Sequence, residues 1–288
     1  MTPLRSHLWQ RLTREEIRTA RDRGVLVAMP VGAIEQHGPH LSVETDALLC
    51  ASVTSMAAER ASVGVLVAPT LPFGFSPHHL SHPGTISLRL ATYFAVLSDV
   101  ARSIVDIGFP RLVLVNGHGG NSAPLRAKVA ELVTDGVPVT AVDYWAPAEE
   151  AWIARLKGVT KRFGHACEFE TSLMLALARG RALEEQRMLE AISDLAPRTV
   201  QPWIPDGESP DPVTEFRAAW PPIFQGDDVG YFGDPRAATA ETGAEILDIL
   251  VARLAAFFEA FASTALRMGK SVDRDAPLVS PPLKGKSA

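Results

Sequence analysis

Two short runs of this 288-residue chain are apolar at almost every position, and they restrict the fold more than any other feature. They cover residues 25–31 and 112–115, and similar runs lie at 63–68 and 137–142. A strand that is apolar on both faces is typical of a covered parallel sheet. Because helix-like segments separate the runs, the pattern predicts an α/β fold with a mostly parallel central sheet and helices on both faces.

Helix signals lie between the apolar runs, at residues 45–60, 91–107 and 123–134, and after the last run, at residues 237–266. A shorter helix is predicted before the first strand. There Thr13 and Glu16 can form a capping box, in which each side chain accepts the backbone N–H of the other residue. Gly24 is expected to end this helix.

Two segments lack a regular pattern, residues 71–83 and 198–233. Long irregular loops are often functional or form subunit contacts. We expect residues 1–268 to form a single domain and residues 269–288 to be a disordered tail.

Composition restricts the partners and the compartment. The formal net charge is -5 and there is no basic stripe, so we expect no nucleic-acid partner. The two cysteines, Cys50 and Cys167, make no disulfide framework, which favours a reducing cytoplasm. No apolar run is long enough to cross a bilayer, so we expect no membrane partner.

Three clusters of histidine and carboxylate residues stand out against this background. Imidazole and carboxylate groups are the usual ligands of Zn²⁺, Mn²⁺ and Fe²⁺. Two clusters directly follow an apolar run, where ligands bind in open α/β sheets. The pattern indicates one metal site assembled from distant segments. The clusters are Glu35-Gln36-His37-Gly38-Pro39-His40 with Asp46 shortly after; Asn116-Gly117-His118-Gly119-Gly120-Asn121; and Gly164-His165-Ala166-Cys167-Glu168-Phe169-Glu170-Thr171.

Spacing supports several of these residues, although each has a simpler structural reading. Glu35 and His37 are two apart, so on extended backbone they project to one side. Asp46 can aim back at them, but a carboxylate at a helix N-terminus is common without a ligand. His165 and Glu168 are three apart and face alike if their segment is helical.

Other candidates are left open by the sequence. His78, His79 and His82 lie in the proline-rich loop and can be a lid, substrate contacts or plain surface. Trp145 can stack on a substrate ring, but an aromatic residue at a strand end often serves packing. The chain has no serine-hydrolase elbow, P-loop or dinucleotide-binding fingerprint.

Several stretches of the chain together resemble the creatininase (creatinine amidohydrolase) family, and they occur in the family's order. The resemblance extends over roughly residues 10 to 265. They are Pro30-Val31-Gly32-Ala33-Ile34-Glu35-Gln36-His37-Gly38-Pro39-His40-Leu41, Thr45-Asp46-Ala47, Pro83-Gly84-Thr85-Ile86-Ser87-Leu88, Asn116-Gly117-His118-Gly119-Gly120-Asn121, Phe169-Glu170-Thr171-Ser172 and Gly233-Asp234-Pro235.

The resemblance implies a three-layer α/β/α fold and two divalent metal ions per chain, zinc or manganese with iron as an alternative. It also implies a homo-oligomer, often a hexamer. Carried over to this sequence, Glu35 and His118 would bind one ion and His37 the other, with Asp46 bridging them. His165 would be the catalytic acid and base.

The sixth ligand departs from the pattern of creatininase proper, which has Tyr-Glu where this chain has Gly119-Gly120. In this respect the chain resembles a Gly-Gly subgroup with a glutamate three residues after the histidine that matches His165. The metal ligand is therefore assigned to Glu168. Trp145 matches one of two ring-clamping tryptophans, and Lys161 stands at the other position, which argues against creatinine. Residues expected to contact substrate are Trp145, Ser76, His79, Gly119 and Gly120.

These observations predict a metal-dependent amidohydrolase that cleaves a C–N bond of a small cyclic amide or a formamide through a metal-bridged water. Lys161 or Arg162 could suit an anionic substrate. The family also includes formamide deformylases and a peptidase-like branch in mycofactocin maturation. Alternatives are therefore a peptide or lactone hydrolase with the same centre, a non-catalytic metal-binding scaffold, or a regulatory subunit of a larger assembly.

Overall fold

The central sheet of the protein, seen in a computed structural model that describes residues 4–199, 224–226 and 228–266, has four parallel strands. In chain order the strands are β1 (Leu26–Val31), β2 (Val65–Val67), β3 (Leu112–Asn116) and β4 (Val139–Asp143). Their spatial order is β2-β1-β3-β4. The predicted parallel sheet is confirmed, although β2 is shorter than the apolar run at 63–68.

Eight α-helices lie in the described part of the chain. They are α1 (Arg14–Asp22), α2 (Thr45–Arg60), α3 (Leu90–Asp106), α4 (Ser122–Thr134), α5 (Glu149–Ile153), α6 (Glu168–Ala178), α7 (Ala182–Ile192) and α8 (Ala240–Ser263). The predicted capping box of α1 is present, with Thr13 N–H donating to Glu16 Oε2 at 2.8 Å.

The sheet is covered on both faces, because alternate side chains of a strand point to opposite sides. Leu26 and Ala28 of β1 belong to a core shared with α2, α6 and α8. Val27 and Met29 belong to a second core shared with α3 and α4. Every residue of β1 is buried, which explains its continuous apolar sequence. The three-layer α/β/α arrangement is confirmed.

The carboxyl ends of β1 and β3 bring two of the sequence clusters together. Val31 and Asn116, the last residues of these strands, are paired in the register. The start of α2 packs closely over this edge. A Cβ atom at Gly117 would lie 2.5 Å from Cβ of Cys50 and 2.7 Å from the carbonyl oxygen of Asp46, so only glycine permits this approach. Asp46 is thereby placed beside the segments that follow the strands.

Some predicted features concern residues that the structure does not describe. The predicted tail at 269–288 and most of the loop at 198–233 lie outside the described residues. Within the described residues, no helix is both long enough and apolar enough to cross a lipid bilayer.

Candidate metal centre

Four of the five predicted metal ligands meet at the carboxyl edge of the sheet. Nδ1 of His118 lies 3.2 Å from Oε1 of Glu35 and 2.9 Å from Oδ2 of Asp46. Nε2 of His37 lies 3.2 Å from the other oxygen of Asp46, Oδ1. All four side chains are at least 95% buried. The structure therefore brings together residues from three separate segments, with Asp46 between the two histidines.

The bonding state of these atoms fits a site for divalent cations. Oε2 of Glu35 is buried and has no hydrogen-bond partner among the described residues. Nε2 of His37 and Oδ2 of Asp46 are also buried, and they approach their nearest partners at 3.2 Å and 2.9 Å without forming a hydrogen bond. Buried polar atoms seldom lack a partner in folded proteins. Four groups of three histidine or carboxylate ligand atoms lie here, each within 4.8 Å of one another. Neighbouring ligand atoms of one bound ion are about 3 Å apart, so the spacing suits metal binding.

Hydrogen bonds aim one nitrogen of each histidine at this cluster. Nδ1 of His37 lies 3.1 Å from the carbonyl oxygen of Glu35, which leaves Nε2 facing Asp46. Nε2 of His118 lies 3.1 Å from Oγ of Ser76 and 3.3 Å from the carbonyl oxygen of Phe75. A ligating histidine commonly donates its second N–H in this way, which fixes the free nitrogen toward the metal.

Glu168 is not part of the cluster, in contrast to the prediction. Its two carboxylate oxygens accept backbone N–H groups of Lys157 at 2.7 Å and Gly158 at 2.8 Å. The predicted i, i+3 relation with His165 assumed a helical segment, but α6 begins only at Glu168. Ala166, between them, has φ of 48°. His165 therefore lies on non-helical backbone, and the two side chains diverge.

Glu170, rather than Glu168, is the glutamate of this segment that lies near the cluster. Its Oε1 lies 3.9 Å from Nε2 of His37, and it forms one of the possible ligand groups with His37 and His165. The sequence carried a signal for it, because Glu170 lies in the family-like stretch Phe169-Glu170-Thr171-Ser172. The resemblance to the Gly-Gly subgroup assigned the ligand to Glu168, and the i, i+3 spacing from His165 supported this only if the segment between them was helical.

Burial and mutual charge shift the protonation of the cluster. Burial lowers the pKa of His118, but the carboxylates of Glu35 and Asp46 outweigh this effect and raise it to about 10. Burial would raise the pKa of Asp46, but His37 and His118 hold it well below its usual range. Burial lowers the pKa of His165 well below its usual value. His165 is therefore a neutral imidazole with a lone pair available near neutral pH.

A cavity of about 290 Å³ opens onto this cluster. Three carboxylates, four imidazoles and two phenylalanines line the cavity. The predicted substrate contacts His79, Gly119 and Gly120 all line it. The described residues that line the cavity are Glu35, Asp46, His78, His79, His118, Gly119, Gly120, Phe163, Gly164, His165, Glu170 and Phe224.

Two residues expected to contact substrate lie behind the wall of the cavity. Trp145 stacks on Phe163 with ring centroids 5.0 Å apart, and Phe163 rather than Trp145 lines the space. Ser76 is fully buried against His118. Trp145 and Ser76 therefore pack against residues that line the cavity and do not line it themselves. Phe163 was missed although it precedes Gly164-His165, and Phe224 has no sequence signal that links it to the site.

The charged side chains suggested for an anionic substrate also point elsewhere. Nζ of Lys161 donates to the carbonyl oxygen of Leu156. The guanidinium of Arg162 lies 4.8 Å from the ring centroid of Phe232 and donates to the carbonyl oxygen of Thr199. Among the described residues, the cavity wall contains no lysine or arginine.

Gly120 marks where this chain departs from creatininase proper. A Cβ atom at this position would lie 2.3 Å from Nε2 of His118 and 2.7 Å from Cε1 of His78. The ring of His78 stacks on that of His118 at a centroid distance of 5.6 Å. A glutamate at position 120 would therefore collide with both rings, and the loop at 76–79 occupies the space beside His118.

A parallel α/β sheet with a buried imidazole and carboxylate cluster at its carboxyl edge is typical of a metal-dependent hydrolase. Comparison with known families makes this specific. The family model described as "Creatininase: Creatinine amidohydrolase" matches residues 10–258, so the chain belongs to the creatininase family.

Two relatives show the range of names within this similarity. The chain is 30% identical over 230 residues to a protein named mycofactocin precursor peptide peptidase from Mycolicibacterium smegmatis, covering 78% of this chain and 81% of the relative. It is 32% identical over 256 residues to a creatinine amidohydrolase from Pseudomonas putida, covering 83% and 90%.

Solved structures agree with the fold. One titled "Creatininase Mn" superposes with a TM-score of 0.68 at 28% identity, covering 90% of this chain and 100% of that one. Another, a mutant creatininase whose title describes it as "Zn-Zn type", has a TM-score of 0.69 at the same identity and coverage.

Proposed function

We propose that this chain is a metal-dependent amidohydrolase that cleaves a C–N bond of a small cyclic amide or a formamide. The observation that carries the proposal is a set of three buried ligand atoms, on Glu35, His37 and Asp46, that form no hydrogen bond within the described part of the chain and lie beside an open cavity. Family membership supports hydrolysis as the reaction class. The substrate class rests on the size and lining of the cavity.

In this proposal two divalent ions bind per chain, zinc or manganese with iron as an alternative. Glu35 and His118 bind one ion and His37 binds the other, because each histidine faces a different oxygen of Asp46. We propose Glu170 instead of Glu168 as the remaining carboxylate ligand. Of these two glutamates, Glu170 lies near His37, whereas Glu168 accepts a backbone N–H elsewhere. The titles naming manganese and zinc in related structures support the choice of metals.

The proposed chemistry divides between the ions and the protein. Divalent ions at such a site lower the pKa of a water molecule and polarise a carbonyl group. Nδ1 of His165 lies 3.9 Å from Oε1 of Glu35, and the imidazole is neutral because burial lowers its pKa. It can therefore accept a proton from the attacking water and return it to the leaving nitrogen. His37 and His118 hold the pKa of the Asp46 carboxyl well below its usual range, so Asp46 keeps a negative charge beside the reacting centre.

The cavity favours a small, uncharged substrate. Its volume of about 290 Å³ lies at the lower end of ligand pockets, which run from about 300 to 1,000 Å³. Phe163 and Phe224 provide apolar walls, and the described lining offers no cation for an anionic group. Gly119 leaves open space above His118, since a Cβ atom there would meet nothing within 4 Å.

Peptide hydrolysis is the second candidate. The relative from Mycolicibacterium smegmatis, which carries a peptidase name, matches this chain over 81% of its own length. A lactone hydrolase with the same centre is chemically related. A non-catalytic scaffold is less well supported, because structural metal sites are closed by their ligands, whereas this cluster faces a cavity that the imidazole of His165 also lines.

A substrate panel tests these candidates. Metal-loaded full-length protein is incubated with small lactams, N-formyl amines, lactones and short peptides, and product formation is followed by mass spectrometry. We expect turnover of a lactam or formamide. Turnover of peptides alone would replace the proposal by the peptidase candidate. With about two ions bound and no turnover of any class, the scaffold reading would take its place.

The family resemblance also leads us to propose a homo-oligomer, up to a hexamer, acting on a small molecule in the cytoplasm. Light scattering of the full chain at micromolar concentration checks the assembly. A monomer at all concentrations would contradict it.

A further inference from the structure

Gln36 lies between two proposed metal ligands, Glu35 and His37, but its own side chain extends in another direction. It is 5% exposed. Its Oε1 accepts the backbone N–H of Gly38 at 2.9 Å. Because a backbone N–H can only donate, the carboxamide oxygen must face Gly38 and the amide nitrogen must face the opposite side. Backbone N–H of Gln36 donates to Oγ1 of Thr85 at 3.1 Å and holds the residue in place.

The amide nitrogen of Gln36 determines the proton position on His79. It lies 2.9 Å from Nδ1 of His79. An amide NH₂ group only donates, so Nδ1 must be the unprotonated nitrogen of this ring. A neutral His79 therefore carries its proton on Nε2, which lies 3.3 Å from Oε1 of Glu35. This N–H is directed at the carboxylate of a proposed metal ligand.

The backbone carbonyl of Gln36 determines the proton position on His165. Its oxygen lies 2.8 Å from Nε2 of His165. A carbonyl oxygen only accepts, so Nε2 carries the proton and Nδ1 keeps its lone pair. Nε2 is also 3.0 Å from the amide nitrogen of Gln36, but the carbonyl oxygen is nearer. The ring centroids of His79 and His165 lie 4.4 Å apart, so Gln36 can contact both rings.

We propose that Gln36 is a positioning residue that sets the tautomers of His79 and His165. His79 then donates to Glu35 from outside the metal ligand set, and His165 presents Nδ1 to the reacting centre. This consequence rests on the proposed function, whereas the tautomers themselves do not. Partners that donate to a ligating carboxylate or orient a ligating ring commonly change metal affinity about 10- to 100-fold.

Nitrogen-15 NMR of the metal-free full-length protein tests the tautomers directly. Spectra of ¹⁵N-histidine-labelled protein distinguish protonated from unprotonated ring nitrogens, and His79→Ala assigns the His79 signals. We expect His79 to show an unprotonated Nδ1 and a protonated Nε2 in the wild-type protein. Gln36→Met should remove this preference. A wild-type His79 protonated on Nδ1 would overturn the proposal, and that observation needs no variant to fold.

A double-mutant cycle on zinc affinity tests the consequence. Competition with a chromophoric chelator is measured for wild type, Gln36→Met, His79→Ala and the double variant. Each single variant should bind zinc about tenfold or more weakly, and the double variant no more weakly than the singles, because both changes break one chain of contacts. Independent, additive losses would refute the coupling. Gln186→Met, an exposed glutamine on α7, is the matched control and should leave affinity unchanged.

The role of Gln36 toward the two rings and the proposed hydrolase function can fail separately. If the tautomers are as stated but no substrate is turned over, the proposed function is wrong and the role of Gln36 toward the rings stands. If turnover occurs but His79 shows the other tautomer, the hydrolase proposal stands and the role of Gln36 is wrong.

Discussion

Glu168 and Glu170 are two residues apart on the first turn of α6, yet their carboxylates serve different parts of the molecule. Glu168 accepts the backbone N–H groups of Lys157 and Gly158, whereas Glu170 lies 3.9 Å from Nε2 of His37. Residues i and i+2 of an α-helix are about 200° apart around the axis, so both cannot face one site. The helix start therefore decides which glutamate reaches the metal cluster.

This relationship predicts opposite outcomes for two matched variants. Glu170→Gln should lower metal content from about two ions to about one per chain, because a carboxylate ligand is lost. Glu168→Gln should keep its metal but lose about 1–3 kcal/mol of stability, because two buried backbone N–H groups lose a charged acceptor. Elemental analysis and thermal unfolding measure the two effects. Metal loss only in Glu168→Gln would restore the assignment of the metal ligand to Glu168.

Asp46 is expected to be the most damaging single ligand to remove. Its Oδ1 faces His37 and its Oδ2 faces His118, so it is positioned to serve both ions. Asp46→Ala should lose both ions and all measurable turnover. Asp194→Ala, an exposed carboxylate after α7, should retain both. An Asp46→Ala protein with full metal content would exclude the bridging role.

Two adjacent glycines should respond differently to alanine. A Cβ atom at Gly120 would lie 2.3 Å from Nε2 of His118, whereas one at Gly119 meets nothing within 4 Å. Gly120→Ala must displace His118, His78 and the backbone carbonyl of Phe75, so we expect weaker metal binding, by about tenfold or more. Gly119→Ala should bind metal like the wild type, although its substrate affinity can change. Equal metal affinity in the two variants would argue against this packing.

Alanine variants of Phe163 and Trp145 should affect different properties, substrate recognition for Phe163 and stability for Trp145. Phe163 lines the cavity, and Trp145 stacks behind it. Phe163→Ala should raise KM more than it lowers kcat and should alter the preference within the substrate panel. Trp145→Ala should mainly lower the melting temperature, because it removes an aromatic ring that packs against the core. Steady-state kinetics and calorimetry distinguish the two; a KM effect confined to Trp145→Ala would contradict the placement.

Because His40 is buried, we expect the protein to lose stability in mild acid. Burial, with a smaller contribution from His37, lowers its pKa to about 4, while an unfolded histidine titrates near 6.5. Above pH 6.5 His40 is neutral in both the folded and the unfolded chain, so its contribution to stability is complete. Between about pH 6.5 and 4 only the unfolded chain takes up the proton, so stability falls by up to about 3 kcal/mol and levels off below about pH 4. His40→Gln should lack this step, and parallel unfolding curves for both proteins would refute it.

Much of the fold was predictable because its causes are local. The fully apolar runs at β1 and β3 reflect burial on both faces of a sheet, and the capping box of α1 forms between residues three apart. Strand ends followed by Glu35, His37 and His118 mark the carboxyl edge, where parallel strands align their following loops. These features depend on near neighbours and on the two-residue period of strands.

Tertiary structure decided the features that depend on where distant segments meet. By itself the sequence determined the parallel sheet, the cluster of Glu35, His37, Asp46 and His118, and the presence of His165 nearby, because each follows from strand period, helix start or motif. It did not determine that Glu170 rather than Glu168 lies near His37, that Phe163 covers Trp145 or that Phe224 lines the cavity. Those outcomes depend on the positive φ of Ala166 and on packing between segments far apart in the chain, which no local pattern records.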